Sequence, residues 1–578
     1  MEDPGTPNLV KTDCRTSSCS PCSGRVDTAA RKDTTVARVD NDQLYRLRHF
    51  QHPIAFGLGV LCCAVGVGLH LPMYFGARDM HFRMAGMTPD PAMITGMVLI
   101  LVGLLLSLYG LVPAGSGGIR RQASQIRVRA LDDARLRWPH VALLVAMALA
   151  ITIDVMKPTT LSFVAPGVAK EYGLKSPVNP LGHIPVTWLP LFGIAGTVIG
   201  SFLWGWVGDR IGRRASIMFA GILFVSTSIC GAMPGFSWNL LMCFLMGIGA
   251  GGMLPIAFAM ISETIPARHR GWLIVLIGGD VAGAYVLTSW LAGALTPEFS
   301  WRILWLIGLP TGLLLIALNR WIPESPRYLL ATGQHAAAEA VMRKYGAAVV
   351  PDVEPTALPG VRGGYAQLFR RPFAGPTVAV TLLAVAVGLL TYGFQFWVPS
   401  NLQHLGLTAV TSDYVLRNSA LLGLPLTAVV ALLYGFWNSR RTIILLATLT
   451  AAAVGVFAVF GDSVVHNRVL LQLLLVIPLA GISSVVAVVT AYASEIYPTH
   501  VRSRGTGLAA GMTKAGGVLV LALVITAVST PSLAVTALIG AIPLLLAVIL
   551  FGMTAPETHQ RRLEDITAEE MASLQEVA

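Results

Sequence analysis

From Pro53 onward, this chain breaks into apolar runs of roughly 20 residues, the length an α-helix needs to cross about 30 Å of hydrocarbon, with short polar turns between them. Backbone N–H and C=O groups in lipid must bond within their own segment, so these runs fold as helices. Charged residues make up only 12% of the 578 positions, and mean hydropathy is +0.67. A soluble domain carries about 25% charged residues and has no interior large enough to hide so much apolar surface. The sequence therefore specifies an all-α polytopic membrane protein. Its net charge of +11 is no sign of nucleic acid as a partner. The basic residues sit in short turns between spans, where they set topology.

Residues 1–51 are polar, of mixed charge and without apolar periodicity, and predict a disordered cytoplasmic tail. No cleavable signal peptide is expected, because the first long apolar run begins near Pro53. Cys14, Cys19 and Cys22 lie in this tail without a convincing fourth ligand, whereas structural zinc normally takes four. Neither a metal nor a cofactor is expected. Cys62, Cys63, Cys230 and Cys243 fall inside apolar runs. Residues 52–138 hold two spans, about 53–74 and 93–113, and a basic linker containing Arg120, Arg121, Arg127, Arg129, Arg135 and Arg137. The connection between the two spans carries only Arg78 and Arg83 as strong bases. That imbalance predicts a cytoplasmic linker and N-terminus.

Twelve further helices are expected in two sets of six. The first six-helix bundle, 139–322, has spans near 140–165, 186–207, 215–233, 237–261, 271–295 and 301–322. The second, 373–558, has spans near 374–399, 413–437, 441–460, 468–492, 505–528 and 532–553. A cytoplasmic linker, 323–372, separates them and favours a short amphipathic helix near 336–345. A cytoplasmic tail, 559–578, follows. The two sets echo each other: Ser262-Glu263-Thr264-Ile265-Pro266 with Arg268, Arg270 and Gly271 matches Ser494-Glu495-Ile496-Tyr497-Pro498 with Arg502, Arg504 and Gly505. Pro323-Glu324-Ser325-Pro326-Arg327 likewise matches Pro556-Glu557-Thr558. The offset from Glu263 to Glu495 is 232 residues and from Pro323 to Pro556 it is 233. A near-constant offset over that distance marks an internal duplication.

Between the second and third spans of the first set runs Gly205-Trp206-Val207-Gly208-Asp209-Arg210-Ile211-Gly212-Arg213-Arg214. Glycines allow a sharp turn, and an acid among arginines can pair with them or with a helix N-terminus. This run resembles the signature loop of the major facilitator superfamily, G-x-x-x-D-R-x-G-R-R. The second-half counterpart, Gly435 to Arg441, keeps the arginines and lacks the acid. The turns and the Pro-Glu-Ser-Pro-Arg segment resemble the sugar-porter-like group. Gly247-Ile248-Gly249-Ala250-Gly251-Gly252-Met253-Leu254-Pro255 looks more like the branch of nicotinate-type transporters and synaptic-vesicle proteins. Tyr392-Gly393-Phe394-Gln395-Phe396-Trp397-Val398-Pro399 lacks the Gln-Gln-x-x-Gly-x-Asn pattern of sugar carriers. The resemblance covers about 139–558 and implies two parallel six-helix bundles; the two spans before them have no counterpart in the family.

The resemblance implies alternating access, with the two bundles rocking about a central site. A conformational latch is expected from Gly205, Gly208, Asp209, Arg210, Gly212, Arg213, Arg214, Glu263, Arg270, Glu495, Arg502 and Arg504. In it Asp209 would meet the N-terminus of a helix starting near Arg504-Gly505. Glu263 and Glu495 would pair with Arg214 and Arg441 or neighbouring arginines. Ionisable groups inside a membrane usually face a cavity or a partner. Asp154, Lys157, Asp280 (read as mid-helix) and Lys514 are therefore candidates for proton coupling and for holding an anionic group. The competing arrangement pairs Asp154 with Lys157 at i, i+3 and Asp280 with Lys514. Tyr392, Phe394, Gln395 and Trp397 are candidate cavity residues, with Trp188 and Tyr492 weaker ones; Trp397 also suits an interfacial aromatic belt.

These readings predict a secondary transporter of a small organic solute, proton-coupled, monomeric and set in the plasma membrane with both termini cytoplasmic. Drug or metabolite efflux, a sugar porter and a non-transporting receptor on a carrier fold are the alternatives. No G-x-x-x-x-G-K-[ST] loop points to ATP use, and no constellation suggests an enzyme.

Overall fold

The computed structural model describes residues 52–112, 131, 134–347, 365–371, 373–464, 467–497, 499–526 and 532–558, without the side chains of 205, 206, 209, 267, 331, 461, 462, 464 and 499–503. The expectations for the two tails, Cys14, Cys19, Cys22, the linker arginines 120, 121, 127 and 129, and the side chains of Asp209 and Arg502 lie outside these residues. Among the described residues regular structure is helical, apart from isolated bridges between Lys175 and Pro185 and between Ser176 and Asn179.

Helices α1 (Pro53–Gly68), α2 (Leu71–Gly76) and α3 (Pro91–Leu111) form the extra hairpin. Small residues bring α1 and α3 into backbone contact, as in other membrane helix pairs: a Cβ at Gly59 would come within 2.5 Å of the Ser107 nitrogen. The hairpin rests on the third helix of the first bundle.

That bundle comprises α4 (Trp138–Tyr172), α5 (Trp188–Ile211), α6 (Arg213–Thr227), α7 (Phe236–Ala250) with α8 (Met253–Thr264), α9 (Ala267–Gly278) with α10 (Val281–Phe299), and α11 (Ile303–Leu306) with α12 (Gly308–Leu318). Helices α13 (Pro326–Ala331) and α14 (His335–Lys344) follow, the latter where an amphipathic helix is expected. The second bundle comprises α15 (Ala374–Leu390) with α16 (Val398–His404), α17 (Ala409–Phe436), α18 (Ser439–Val464), α19 (Arg468–Ile496), α20 (Thr499–Thr526) and α21 (Leu533–Thr554). Twelve helical segments among the described residues are long and apolar enough to span a membrane; Trp188–Trp204 and Ile303–Leu318 are shorter apolar helices completing the first set.

Packing repeats from one bundle to the other. Second and fourth spans pair (α5 with α7, α17 with α19), third and sixth pair (α6 with α12, α18 with α21), and first and fifth pair (α4 with α10, α15 with α20). The bundles meet through α5 against α20 and, reciprocally, α10 against α17. This reciprocity is what a duplicated six-helix unit produces about an axis along the membrane normal.

Several spans are broken rather than straight. The fourth parts at Gly251-Gly252 and the fifth at Gly279-Asp280. The seventh passes through a π-turn at Thr391–Gln395, a local bulge common at functional sites. Asp280 thus stands at the junction of α9 and α10, not mid-helix, because two consecutive glycines precede it. Helix α20 begins at Thr499, more than a turn before Arg504. The N–H groups of Arg504 and Gly505 are therefore inside a helix, and the expected helix-start site for Asp209 is not there.

Candidate functional site

A cavity of about 130 Å³ lies between the bundles. Its polar lining includes Asp154 from α4, Thr197 from α5, Tyr285 from α10, Tyr392 and Gln395 from the π-turn, and Lys514 from α20. Phe258 and Phe396 add aromatic walls. The π-turn turns both Tyr392 and Gln395 toward the cavity while Phe394 packs away from it onto Phe457, ring centroids 5.6 Å apart.

Lys514 crosses from the second bundle to the first. Its Nζ donates to Ser201 Oγ at 2.9 Å and to the Gly251 carbonyl at 3.0 Å. The break at Gly251-Gly252 brings that carbonyl within reach. Gly251 also lies so close to α5 that a Cβ would fall 2.5 Å from the Thr197 oxygen. Asp154 is 2% exposed, its Oδ1 has no hydrogen-bond partner, and it lies within electrostatic reach of Lys514 and Lys157. A buried carboxylate without donors is costly unless a cation or a proton neutralises it. The arrangement offers one cation, one acid and aromatic walls, which is chemistry for an organic anion and a proton.

Of the intramembrane candidates, Asp154, Lys514, Tyr392 and Gln395 come together in the cavity. Lys157 does not line it: the side chain turns into the first bundle, 5.6 Å above the Phe224 ring and against Gly308. Asp280 does not line it either, and accepts from Thr152 Oγ1 of α4. The Asp280–Lys514 pairing is absent among the described residues, since each has the other partners just given. Trp188 packs on Phe192, and Tyr492 donates to the Pro556 carbonyl at 2.5 Å. Trp397 is fully buried, with Nε1 lacking a partner; it therefore belongs to no interfacial belt.

The basic turns form a second polar network. Glu324 accepts from the backbone N–H groups of Arg213 (2.7 Å), Arg214 (3.2 Å) and Ser325 (2.9 Å). It thereby caps the N-terminus of α6, where unpaired N–H groups favour an anion. Burial pushes its carboxyl up to about 7, against the pull of those three N–H groups and of the Arg213 charge. Glu557 likewise caps the N-terminus of α18, accepting from Ser439 N at 3.0 Å and Arg440 N at 3.1 Å. Arg214 Nε donates to the Asn319 carbonyl at 3.2 Å, and Arg440 donates to the Gly552 carbonyl. Each carbonyl lies five residues before its capping glutamate, so the duplication extends to single hydrogen bonds.

Glu263 meets Arg213 (3.6 Å) rather than Arg214 and accepts from Ser325 Oγ at 2.5 Å. Glu495 accepts from Tyr434 Oη and Thr558 Oγ1, both at 2.8 Å. Arg270, not Arg441, is the arginine in electrostatic contact with Glu495, and it comes from the other bundle. Gly271 stands next to it, where a Cβ would come within 2.6 Å of Glu495 Oε1. Arg210 offers its carbonyl to Tyr328 Oη at 3.1 Å. Gly212 has φ +94° and leaves no room for a Cβ beside Glu324. Gly208 approaches Ser216, Arg213 and Ile256. Sequence reading missed the capping role of Glu324 and Glu557, although the Pro-Glu repeat that carries them is visible. It also missed Ser201 and the Gly251 carbonyl, which carry no signal of their own.

The family profile of the Major Facilitator Superfamily matches residues 141–520. The chain belongs to the major facilitator superfamily. The niacin transporter NiaP of Acinetobacter baylyi (strain ADP1) is 27% identical over 389 residues, covering 66% of this chain and 85% of that protein. The 4-hydroxybenzoate transporter PcaK of the same organism is 24% identical over 424 residues, covering 69% and 87%. Among solved structures, the proton:xylose symporter XylE from E. coli superposes with a TM-score of 0.59 at 17% identity, covering 74% of this chain and 98% of that one; this likeness concerns the fold. As a member of the superfamily the protein is a multi-pass membrane transporter, not an enzyme.

Proposed function

We propose that this transporter is a secondary carrier for a small organic anion, a ring-bearing carboxylate foremost, coupled to protons and working by alternating access. The Lys514 ammonium in an aromatic-walled cavity beside Asp154 carries the reading. Niacin and 4-hydroxybenzoate, named for two relatives, are both small ring carboxylates, which supports it. In this reading the solute carboxylate takes Lys514 from Ser201 and Gly251, and Asp154 takes a proton as its cationic neighbour is occupied. The Arg213–Glu263–Ser325 and Arg270–Glu495 contacts act as the latch on one side. The carrier works as a monomer in the plasma membrane, with the basic turns and both termini in the cytoplasm, and residues 323–372 join its two bundles. The missing sugar-carrier amide pattern and the buried cation argue against a sugar.

The test is nicotinate uptake by purified protein in liposomes under an imposed pH gradient. Wild type should accumulate nicotinate as the gradient dictates. Asp154→Asn should carry it without responding to the gradient, and Lys514→Met should lose at least about tenfold in uptake, as removing a charge-assisted contact of about 1.4 kcal/mol or more does. Gradient-driven uptake that is unchanged in both variants would overturn the reading.

A further inference from the structure

A second acid lies buried away from this site. Asp413, the fifth residue of α17, is 6% exposed. Among the described residues no hydrogen-bond donor and no cation meets its carboxyl. Arg417, one turn on, is the natural i, i+4 partner, yet its guanidinium is turned elsewhere: Nε and Nη2 donate to Asn418 Oδ1 at 3.0 and 2.7 Å, and the group stacks 4.6 Å from the Tyr414 ring centre. Asp413 stands at the end of the molecule opposite the basic turns, in the seam where α17 of the second bundle packs on α10 of the first. Tyr414 next to it lies against Gly293 of α10, where a Cβ would fall 2.7 Å from the ring.

Across that seam is Tyr285. It lines the cavity, its buried hydroxyl has no hydrogen-bond partner, and it is in electrostatic contact with Asp413. Near this end the packed helices also carry Glu298 on α10, His404 on α16, Asp462 on α18 and Arg468 on α19; the charges of α9, α18 and α19 at their other ends lie among the basic turns. Tyr285 is the side chain across the seam within electrostatic reach of the Asp413 carboxyl. An ionised carboxyl in such a place would be both desolvated and uncompensated, a cost far above that of binding a proton.

We propose that Asp413 is a second proton-binding site of the carrier, set in the seam between the bundles at the end away from the basic turns, with the Tyr285 hydroxyl standing between it and the cavity. The acid is neutral while the α10–α17 seam is shut. When the seam parts, water reaches the carboxyl, which exchanges its proton with the solution on that side. While the seam is open, the acid hands its proton along the Tyr285 side to the Asp154 carboxylate and takes another from that solution, so the seam closes again on a protonated Asp413. The use of this site in transport rests on the proton-coupled reading above; its existence as a protonated carboxyl does not.

The experiment uses the full-length protein in liposomes and has two readouts. Infrared difference spectra should show a carboxylic C=O band at neutral pH that disappears in Asp413→Asn and returns, shifted, in Asp413→Glu. With pyranine inside the vesicles, nicotinate-driven proton movement should fall at least about tenfold in Asp413→Asn and recover in Asp413→Glu; Tyr285→Phe should keep the band and move its pH midpoint. A spectrum unchanged by Asp413→Asn would overturn the site. A lost band with proton movement of wild-type size would overturn its role as a proton port. If instead Asp154→Asn alone leaves proton movement intact, the coupling reading fails while the infrared band still decides the Asp413 site.

Discussion

Glu324 shows how a single buried carboxyl can tie a carrier's fold to pH. Its ordinary value of 4.5 is raised to about 7 by burial. A carboxyl raised on folding favours the protonated native form. Its contribution is therefore complete below about pH 4.5 and fades as pH climbs through 7. Wild-type thermal stability in detergent should drop between about pH 5 and 8, by at most about 3 kcal/mol from this group. Glu324→Gln should flatten that window, and a slope identical to wild type would refute the assignment. The neighbouring Gly212 is a sharper case. With φ +94° and a Glu324 oxygen 2.4 Å from where a Cβ would stand, Gly212→Ala combines left-handed strain with a displaced cap. It should cost about 2 kcal/mol or more, read as a lower melting temperature. Gly57→Ala, which meets nothing within 4 Å, should leave the melting temperature in place.

At the level of helices, glycine pairs decide how close the crossings come. A Cβ at Gly247 would sit 2.0 Å from the Gly193 oxygen between α7 and α5, and one at Gly388 would sit 1.8 Å from the Thr513 oxygen between α15 and α20. Both are backbone contacts that cannot step aside, so Gly247→Ala and Gly388→Ala should each cost about 1–3 kcal/mol. Gly388→Ala should also cut uptake, because Thr513 and Lys514 line the cavity. Wild-type stability in either variant would mean that the crossings are looser than described. The helices themselves were legible because membrane spans are written in composition, and the duplication because its Glu-Pro-Arg turns recur in register. Asp154 and Lys514 stood out as charges in apolar runs. Asp413 escaped notice because it falls where the eighth span was expected to begin, and there an acid reads as interfacial. Lys157 and Asp280 fall outside the cavity lining for another reason. Which face of a helix looks into a cavity depends on Gly308, on Thr152 and on the break at Gly279-Asp280, and these are tertiary facts. The Gly251 carbonyl that holds Lys514 could not be read at all, since every residue has one.

For the whole molecule, the added hairpin matters through where it is fastened. Its connecting segment places the N–H groups of Met84 and Ala85 2.8 and 3.1 Å from Glu171 Oε1 at the end of α4, and Tyr74 Oη donates to the Phe299 carbonyl at the end of α10. Glu171 in turn holds Arg302 at 2.7 Å and Trp301 Nε1 at 2.7 Å. These anchors, with the resting surface on α6, all belong to the first bundle. A hairpin that rides on one bundle adds mass and stability to it without bridging the seam that opens in the proposed alternating-access cycle. Two outcomes follow. Glu171→Ala strands the fully buried Arg302 and frees the two loop N–H groups, so it should destabilise by about 3–5 kcal/mol. Removing residues 52–112 should lower the melting temperature while leaving the KM for nicotinate within about threefold, roughly 0.65 kcal/mol of binding energy. A deletion that keeps its thermal stability but loses solute binding would show the reverse, that the hairpin acts on the central site from outside the bundle that carries it.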